Sequence, residues 1–168
     1  LEGLFDMSAE HSLRDVLSYD PETGEFTWKK DRRRAKAGSR AGHRRPDGYR
    51  IITVFNNLYR AGRLAWFFNY GEWPSSEIDH INGIRDDDRI SNLRIATRSQ
   101  NVANTRKKCS SRNLLKGVTL TRSSKRYMAQ IRIGGKNTRL GTYDSEQEAH
   151  EAYLAAAQKE FGAFARAG

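Results

Sequence analysis

The sequence predicts an α+β fold assembled from two successive small parts. Three observations carry this. Short runs alternating apolar and polar residues end repeatedly at Gly, Pro or Asn-Gly turn signals. Between Glu77 and Asn101, a strand, a polar loop, a second extended piece and a helix start follow one another. After Gly117, three strand patterns precede one long helical pattern. Runs of strands followed by a helix are the mark of an α+β architecture.

At 168 residues the chain is long enough for one ordinary domain or two small ones. Thirty Lys and Arg against twenty Asp and Glu give a formal net charge of +10, and 37% of residues are hydrophobic. Small cores and a polyanionic partner follow from that balance. No apolar run approaches the roughly 18 residues that span a bilayer, and no charged-then-apolar leader opens the chain. A single Cys109 excludes an internal disulfide and any Cys-based zinc site, and is compatible with a reducing, cytoplasmic compartment.

Leu1 to Asp6 precede Met7 and are read as an appended remnant without function. His11 to Leu17 places Leu13, Val16 and Leu17 on one helical face, and the helix is expected to stop before the turn at Tyr19 to Gly24. Glu25 to Trp28 alternates as a strand. From Lys29 to Arg50, ten basic residues stand against Asp31 and Asp47, with Gly38, Gly42, Pro46 and Gly48 interrupting regular structure. The run, with Arg32, Arg33, Arg34, Arg44 and Arg45 as its candidates, reads as a phosphate-contacting surface, because Lys and Arg release counterions when they neutralise phosphates. Tyr49 to Val54 and Leu58 to Arg60 read as a hairpin turning at Asn56-Asn57, and Leu64 to Phe68 as a buried helix whose aromatics belong to the core. His11 and His43 are expected to be exposed bystanders.

The chemistry concentrates between Ile78 and Asn101. Glu77 to Ile81 alternates as a strand, and Asn82-Gly83 turns the chain directly after Asp79-His80. Asp86 to Arg89 is a polar loop; Leu93, Ile95 and Ala96 restore apolar character. Thr97 and Gln100 have the spacing of a capping box, which puts Asn101 in the first turn or two of a helix. Neighbouring strand residues project to opposite faces, so Asp79 and His80 can share a site only if the strand end is bent. Given that bend, Asp79 and the Asn101 amide oxygen are hard ligands suited to Mg²⁺ or Mn²⁺ rather than zinc. His80 is then available as general base on a water, and Asn92 braces the loop through side-chain to backbone bonds. The bland alternative has Asp79 and His80 in a turn, Asn92 capping a helix and Asn101 on the surface.

The series D-H-I-N-G, S-N-L-R and S-Q-N resembles the HNH endonuclease family, in the Asp-His variant of phage and intron-encoded enzymes. The resemblance implies a ββα-metal fold, with Asp79 and Asn101 as metal ligands, His80 as general base and Asn92 as the loop-bracing residue. Upstream, Y-D-P-E-T-G-E-F-T-W, G-Y-R, R-L-A-W and G-E-W-P resemble the segment preceding this motif in many phage enzymes. Two positions depart from the pattern. Relatives usually have Asp-Asn-Arg where this chain has Asp87-Asp88-Arg89, and often carry His where it has Gly62.

Thr105 to Leu115 reads as a basic linker whose charges, Arg106 and Lys107 among them, could track a DNA backbone. From Arg106 to Arg139 the chain holds eleven Lys or Arg and no carboxylate. Gly117 to Thr121, Arg126 to Ile133 and Asn137 to Tyr143 read as three strands, the last two joined at Gly134-Gly135. Ser145 to Phe161 reads as a helix with Ala149, Ala152, Tyr153 and Ala156 inward and its glutamates outward. His150 is expected on the side facing away from the sheet, structural or exposed. The run G-V-T-L, K-R-Y-M-A-Q-I-R and R-L-G-T-Y-D-S-E-Q-E-A-H-E-A-Y resembles the DNA-binding domain of plant ethylene-response factors, the APETALA type. That resemblance implies a three-stranded antiparallel sheet packed on one helix, with DNA contacts from Arg122, Arg126, Tyr127, Gln130, Arg132 and Arg139.

The expected organisation is a nuclease domain at 7–104 with a mixed N-terminal region, a basic linker at 105–114 and a DNA-binding domain at 115–162. The expected activity is metal-dependent hydrolysis of double-stranded DNA, of homing or nicking type, by a monomer or weak dimer in the cytoplasm of a bacterial or phage-infected cell. Two alternatives remain: a DNA-binding regulator with an inactive nuclease unit, and a structure-specific or RNA nuclease.

Overall fold

The structure, a computed structural model, describes residues 13–105, 114–121 and 125–166. It is mixed α and β, with several small antiparallel sheets. Contacts divide the chain into two compact units, one ending at Ile95 and the other beginning at Ala96.

In the first unit, residues 13–16 are helical and β1 (Leu17–Asp20) pairs antiparallel with β2 (Glu25–Trp28). Leu17 was expected to end a helix; instead it starts β1 opposite Trp28, fully buried. The Pro21 to Gly24 turn can close a hairpin only if the residues before it extend, and that pairing overrides the local helical spacing. Asp20 organises the turn: its Oδ1 accepts from the Glu22 amide at 2.9 Å and its carbonyl from the Gly24 amide at 2.8 Å.

A second antiparallel sheet, in the order β3-β4-β5, holds β3 (His43–Arg44), β4 (Arg50–Val54) and β5 (Asn57–Arg60). Its hairpin turns at Phe55 and Asn56, both with positive φ, one residue earlier than expected, so that Asn57 pairs with Val54. A two-residue turn with both residues left-handed matches the twist of the strands. Helix α1 (Ala61–Tyr70) follows directly, burying Ala61, Gly62, Leu64, Ala65 and Phe67, and stops at Gly71, whose amide bonds the Phe67 carbonyl. Its inner face meets Leu13, Leu17, Phe26, Ile52, Val54 and Leu93 in one core. Phe67 stacks on Trp73 with ring centres 4.7 Å apart, and His43 is exposed. The unit continues into β6 (Glu77–His80), which pairs with β7 (Leu93–Ala96).

In the second unit, α2 (Arg98–Asn104) begins at Thr97 with a complete capping box to Gln100. Strands β8 (Val118–Leu120), β9 (Tyr127–Ile133) and β10 (Lys136–Tyr143) form an antiparallel sheet in the order β10-β9-β8. Gly134 and Gly135, both at positive φ, turn β9 into β10. Helix α3 (Glu146–Phe161) starts from a second capping box, Ser145 to Glu148. It packs on the sheet through Ala149 against Val118 and Ala129, and through Tyr153, Ala157 and Phe161 against Ile131. Ala103 joins the latter cluster, so α2 packs with this unit. His150 is buried rather than outward: its Nδ1 lies 2.8 Å from the Lys116 carbonyl. The Lys116 ammonium donates to the carbonyls of Ala103, Thr105 and Arg166 at 2.6, 2.9 and 2.8 Å, and burial lowers its pKa to about 8. Among the described residues, no helix is long and apolar enough to cross a membrane.

Candidate active site

Strand β6 ends at His80, and the Gly83 amide bonds the His80 carbonyl at 2.8 Å to form the turn that follows. The two neighbours Asp79 and His80 at this strand end are both buried, 3% and 6% exposed. They take different partners. Asp79 Oδ2 accepts from Arg94 Nε of β7 at 2.8 Å, while His80 Nε2 lies 3.0 Å from Asp88 Oδ1 in the loop.

The loop from Ile81 to Asn92 is closed by Asn92, itself buried. Its carbonyl accepts from the Ile81 amide at 2.9 Å and its Oδ1 from the Asn82 amide at 3.0 Å. Its Nδ2 donates to Asn82 Oδ1 at 3.1 Å and to the Asp87 carbonyl at 2.8 Å. Asp87, 14% exposed, grips Arg89 through both oxygens, at 2.7 and 2.6 Å, and accepts from Asn82 Nδ2 at 2.6 Å. That bidentate partner holds the Asp87 carboxyl below its usual range.

Asp88 turns inward and is 2% exposed. Its carbonyl accepts from the Tyr19 hydroxyl at 2.8 Å, and the Pro21 carbonyl accepts from the Ile90 amide at 3.3 Å, so the β1–β2 hairpin seats the loop. Gly24 makes that seat possible. It has a φ of 73°, and a Cβ there would stand 2.4 Å from the Arg89 nitrogen and 2.6 Å from the Asp88 carbonyl carbon. Burial raises the Asp88 pKa, with the His80 hydrogen bond opposing it. Burial also raises that of the Tyr19 phenol.

Arginines gather near His80 through Tyr49. The Tyr49 ring lies 5.9 Å from the His80 ring, with the Arg60 and Arg85 guanidinium groups 4.3 and 5.0 Å from the Tyr49 centroid. Arg44 reaches Asp86 at 3.2 Å, and Arg85 donates to the Asp47 carbonyl at 2.7 Å. Arg50 donates to the Gly42 carbonyl at 3.2 Å; burial, then the nearby Arg40 charge, lower its pKa. Arg32 lies 4.2 Å over the Trp28 ring, Arg45 stands 3.9 Å from Asp47, and Arg33 and Arg34 are exposed.

Asn101 is the fourth residue of α2, half-buried, in the second compact unit. On the sheet of that unit, alternation along β9 sends Ala129 and Ile131 to α3, and Met128, Gln130 and Arg132 to the opposite side. Arg139 pairs with Gln130 and shares its face. Gln130 donates to Thr119 Oγ1 at 2.9 Å, Arg139 bonds Thr142 Oγ1, and Arg126 pairs with Asp144 at 2.7 Å. Tyr127 is the exception among the expected contacts. It has the parity of Ala129 and packs on the Val118, Ala129 and Ala149 cluster, because an aromatic ring at that position completes the core. Arg106, Lys107 and Arg122 lie outside the described residues.

Sequence reasoning assigned no role to Asp88, Arg94, Tyr49, Arg60 or Arg85. Asp88 carried a signal, the unexpected second carboxylate of Asp87-Asp88-Arg89; Arg94 sat unremarked inside S-N-L-R. The other three had no signal, since only the fold gathers the two arginines on one ring. For a divalent ion the suitable donors are hard oxygens, and the Asp79 carboxylate is one. Asp79 fits that use: its buried carboxylate already faces a cation, Arg94. Among the described residues no three His, Cys, Asp or Glu cluster as ligands.

No curated protein matches the chain. Residues 59–103, which contain Gly62, Asp79, His80, Asp88, Asn92 and Asn101, match the family model described as HNH endonuclease, and that match points to a nuclease.

Proposed function

We propose that this chain is a metal-dependent HNH endonuclease that hydrolyses phosphodiester bonds of double-stranded DNA. The observation that carries the reading is the burial of Asp79 and His80 side by side, each fixed by its own charged partner, within the span that matches the family. Asp79 and Asn101 would hold Mg²⁺ or Mn²⁺, which when bound stabilises charge on the phosphate and leaving oxygens. His80 takes a proton from water as that water's oxygen bonds phosphorus and the bond to the leaving oxygen breaks, a role worth about 10²–10⁴-fold. Asn92 keeps the loop closed, which holds His80 in place. Arg44, Arg60 and Arg85 supply positive charge for the phosphates flanking the scissile bond, with Arg32, Arg33, Arg34 and Arg45 extending it.

In this reading 7–104 is the nuclease domain, 105–114 the linker and 115–162 a positioning domain of the APETALA type. Its sheet meets the duplex through Arg126, Gln130, Arg132 and Arg139, assisted by Arg106, Lys107 and Arg122. One site acts on one strand, so a monomer nicks and a double-strand cut takes a dimer or a second encounter. This suits a phage nicking or homing enzyme working in the cytoplasm. Supercoiled plasmid tests the proposal. Relaxation in Mg²⁺ or Mn²⁺ that EDTA prevents is the expected result. Plasmid left intact under every divalent cation, or a clear preference for RNA or branched DNA, contradicts it.

A further inference from the structure

The two departures from the family pattern, Gly62 and Asp88, meet at one point. A Cβ built on Gly62 would lie 3.1 Å from Asp88 Oδ1 and 3.5 Å from both His80 Cε1 and Nε2. A side chain at 62 would therefore enter the space in which the carboxylate meets the imidazole. Asp88 is brought there by independent elements: the Tyr19 hydroxyl holds its carbonyl, Gly24 allows its backbone to approach the β1–β2 turn, and Asn92 ties down the neighbouring Asp87. Its Oδ2 is buried with no hydrogen-bond partner among the described residues. A half-matched buried carboxylate is an unfavourable choice for stability alone. Such costs concentrate where a group is used.

We propose that Asp88 is the positioning residue of His80, fixing the ring orientation and tautomer in which Nδ1 takes a proton from water, and that Gly62 is the gap that admits it. The proposal rests on the reading of His80 as general base. Oδ1 of the carboxylate accepts the Nε2 hydrogen, which leaves the ring lone pair on Nδ1. The ring cannot rotate without breaking this bond. A third group orienting a base is the same logic that operates in hydrolase triads.

Three readouts test it: plasmid-nicking kinetics, the nitrogen chemical shifts of His80 in metal-free protein, and thermal melting. Asp88→Asn and Asp88→Ala are expected to lower kcat by about tenfold or more, up to the about 10²–10⁴ of losing the base outright, with KM unchanged. The wild-type shifts should report hydrogen on Nε2, and Asp88→Ala should move them towards a tautomer mixture. Asp88→Asn, which keeps the shape, should melt at or above wild type at neutral pH while kcat falls. Gly62→Ala should lower kcat in the same way by displacing Oδ1. An unchanged kcat in both Asp88 variants overturns the proposal, as does a His80 tautomer indifferent to Asp88. So does a parallel fall of melting temperature and activity in Asp88→Asn, the pattern of a structural residue. If instead His80→Ala cuts as fast as wild type, the nuclease reading itself fails, and the nitrogen shifts still decide whether Asp88 sets the tautomer.

Discussion

Replacing Arg94 by Met keeps an apolar stem against β6 and removes the guanidinium from Asp79. The two side chains are 18% and 3% exposed, and Nε sits 2.8 Å from Oδ2. Breaking a buried pair from one side costs about 3–5 kcal/mol, because the remaining charge keeps its desolvation penalty. With Arg94 partly exposed, the lower end, about 3 kcal/mol, is expected. For a unit of this size that lowers the melting temperature by roughly 4–8 °C per kcal/mol. The double variant Asp79→Asn with Arg94→Met removes both charges and should return to within about 1 kcal/mol of wild type, since an uncharged replacement of a buried pair is often neutral. Urea denaturation followed by tryptophan fluorescence reads the first unit selectively, because Trp28, Trp66 and Trp73 all lie in it. If Asp79 is a cation site, Mg²⁺ should restore part of the stability of Arg94→Met and none of the double variant's. A single variant within about 0.5 kcal/mol of wild type, or a double variant as unstable as the single, refutes the reasoning.

Asp88 gives a signed pH dependence. Burial raises its pKa above the ordinary 3.8, so its contribution to stability is full below that value and is lost as pH climbs through the raised one. Asp88→Asn should therefore gain on wild type between acid and neutral pH and show no advantage below the ordinary carboxylate value, as melting curves across that range would register. Replacing Arg126 and Arg132 by Ala should weaken DNA binding and reduce the slope of log K against log salt by about 2, as two phosphate contacts of about 0.9 each require. Anisotropy titrations at several salt concentrations measure it, and an unchanged slope removes this face from the binding surface.

Local chemistry was legible in the sequence. Thr97 and Gln100 announce their capping box by spacing alone, Gly134-Gly135 marks its own turn, and the alternation of β9 separates helix-facing from open residues. Long-range pairing was not. Leu17 has helical spacing to Leu13, yet Trp28, on the other side of a turn, makes it a strand. Tyr127 shares the parity of Ala129 and packs, partly buried, against the core, which the sequence does not announce. His80 and Asp88 are eight positions apart in a loop with no periodicity, and only Tyr19, Gly24 and Gly62, from distant segments, decide that they meet.

The most direct test of the nuclease account is His80→Ala, measured twice: single-turnover cleavage of duplex DNA in Mg²⁺, and DNA affinity by anisotropy. Cleavage is predicted to fall by about 10²–10⁴-fold while affinity holds. Cleavage at the wild-type rate, or affinity lost in step with cleavage, contradicts the claim that this imidazole activates the attacking water.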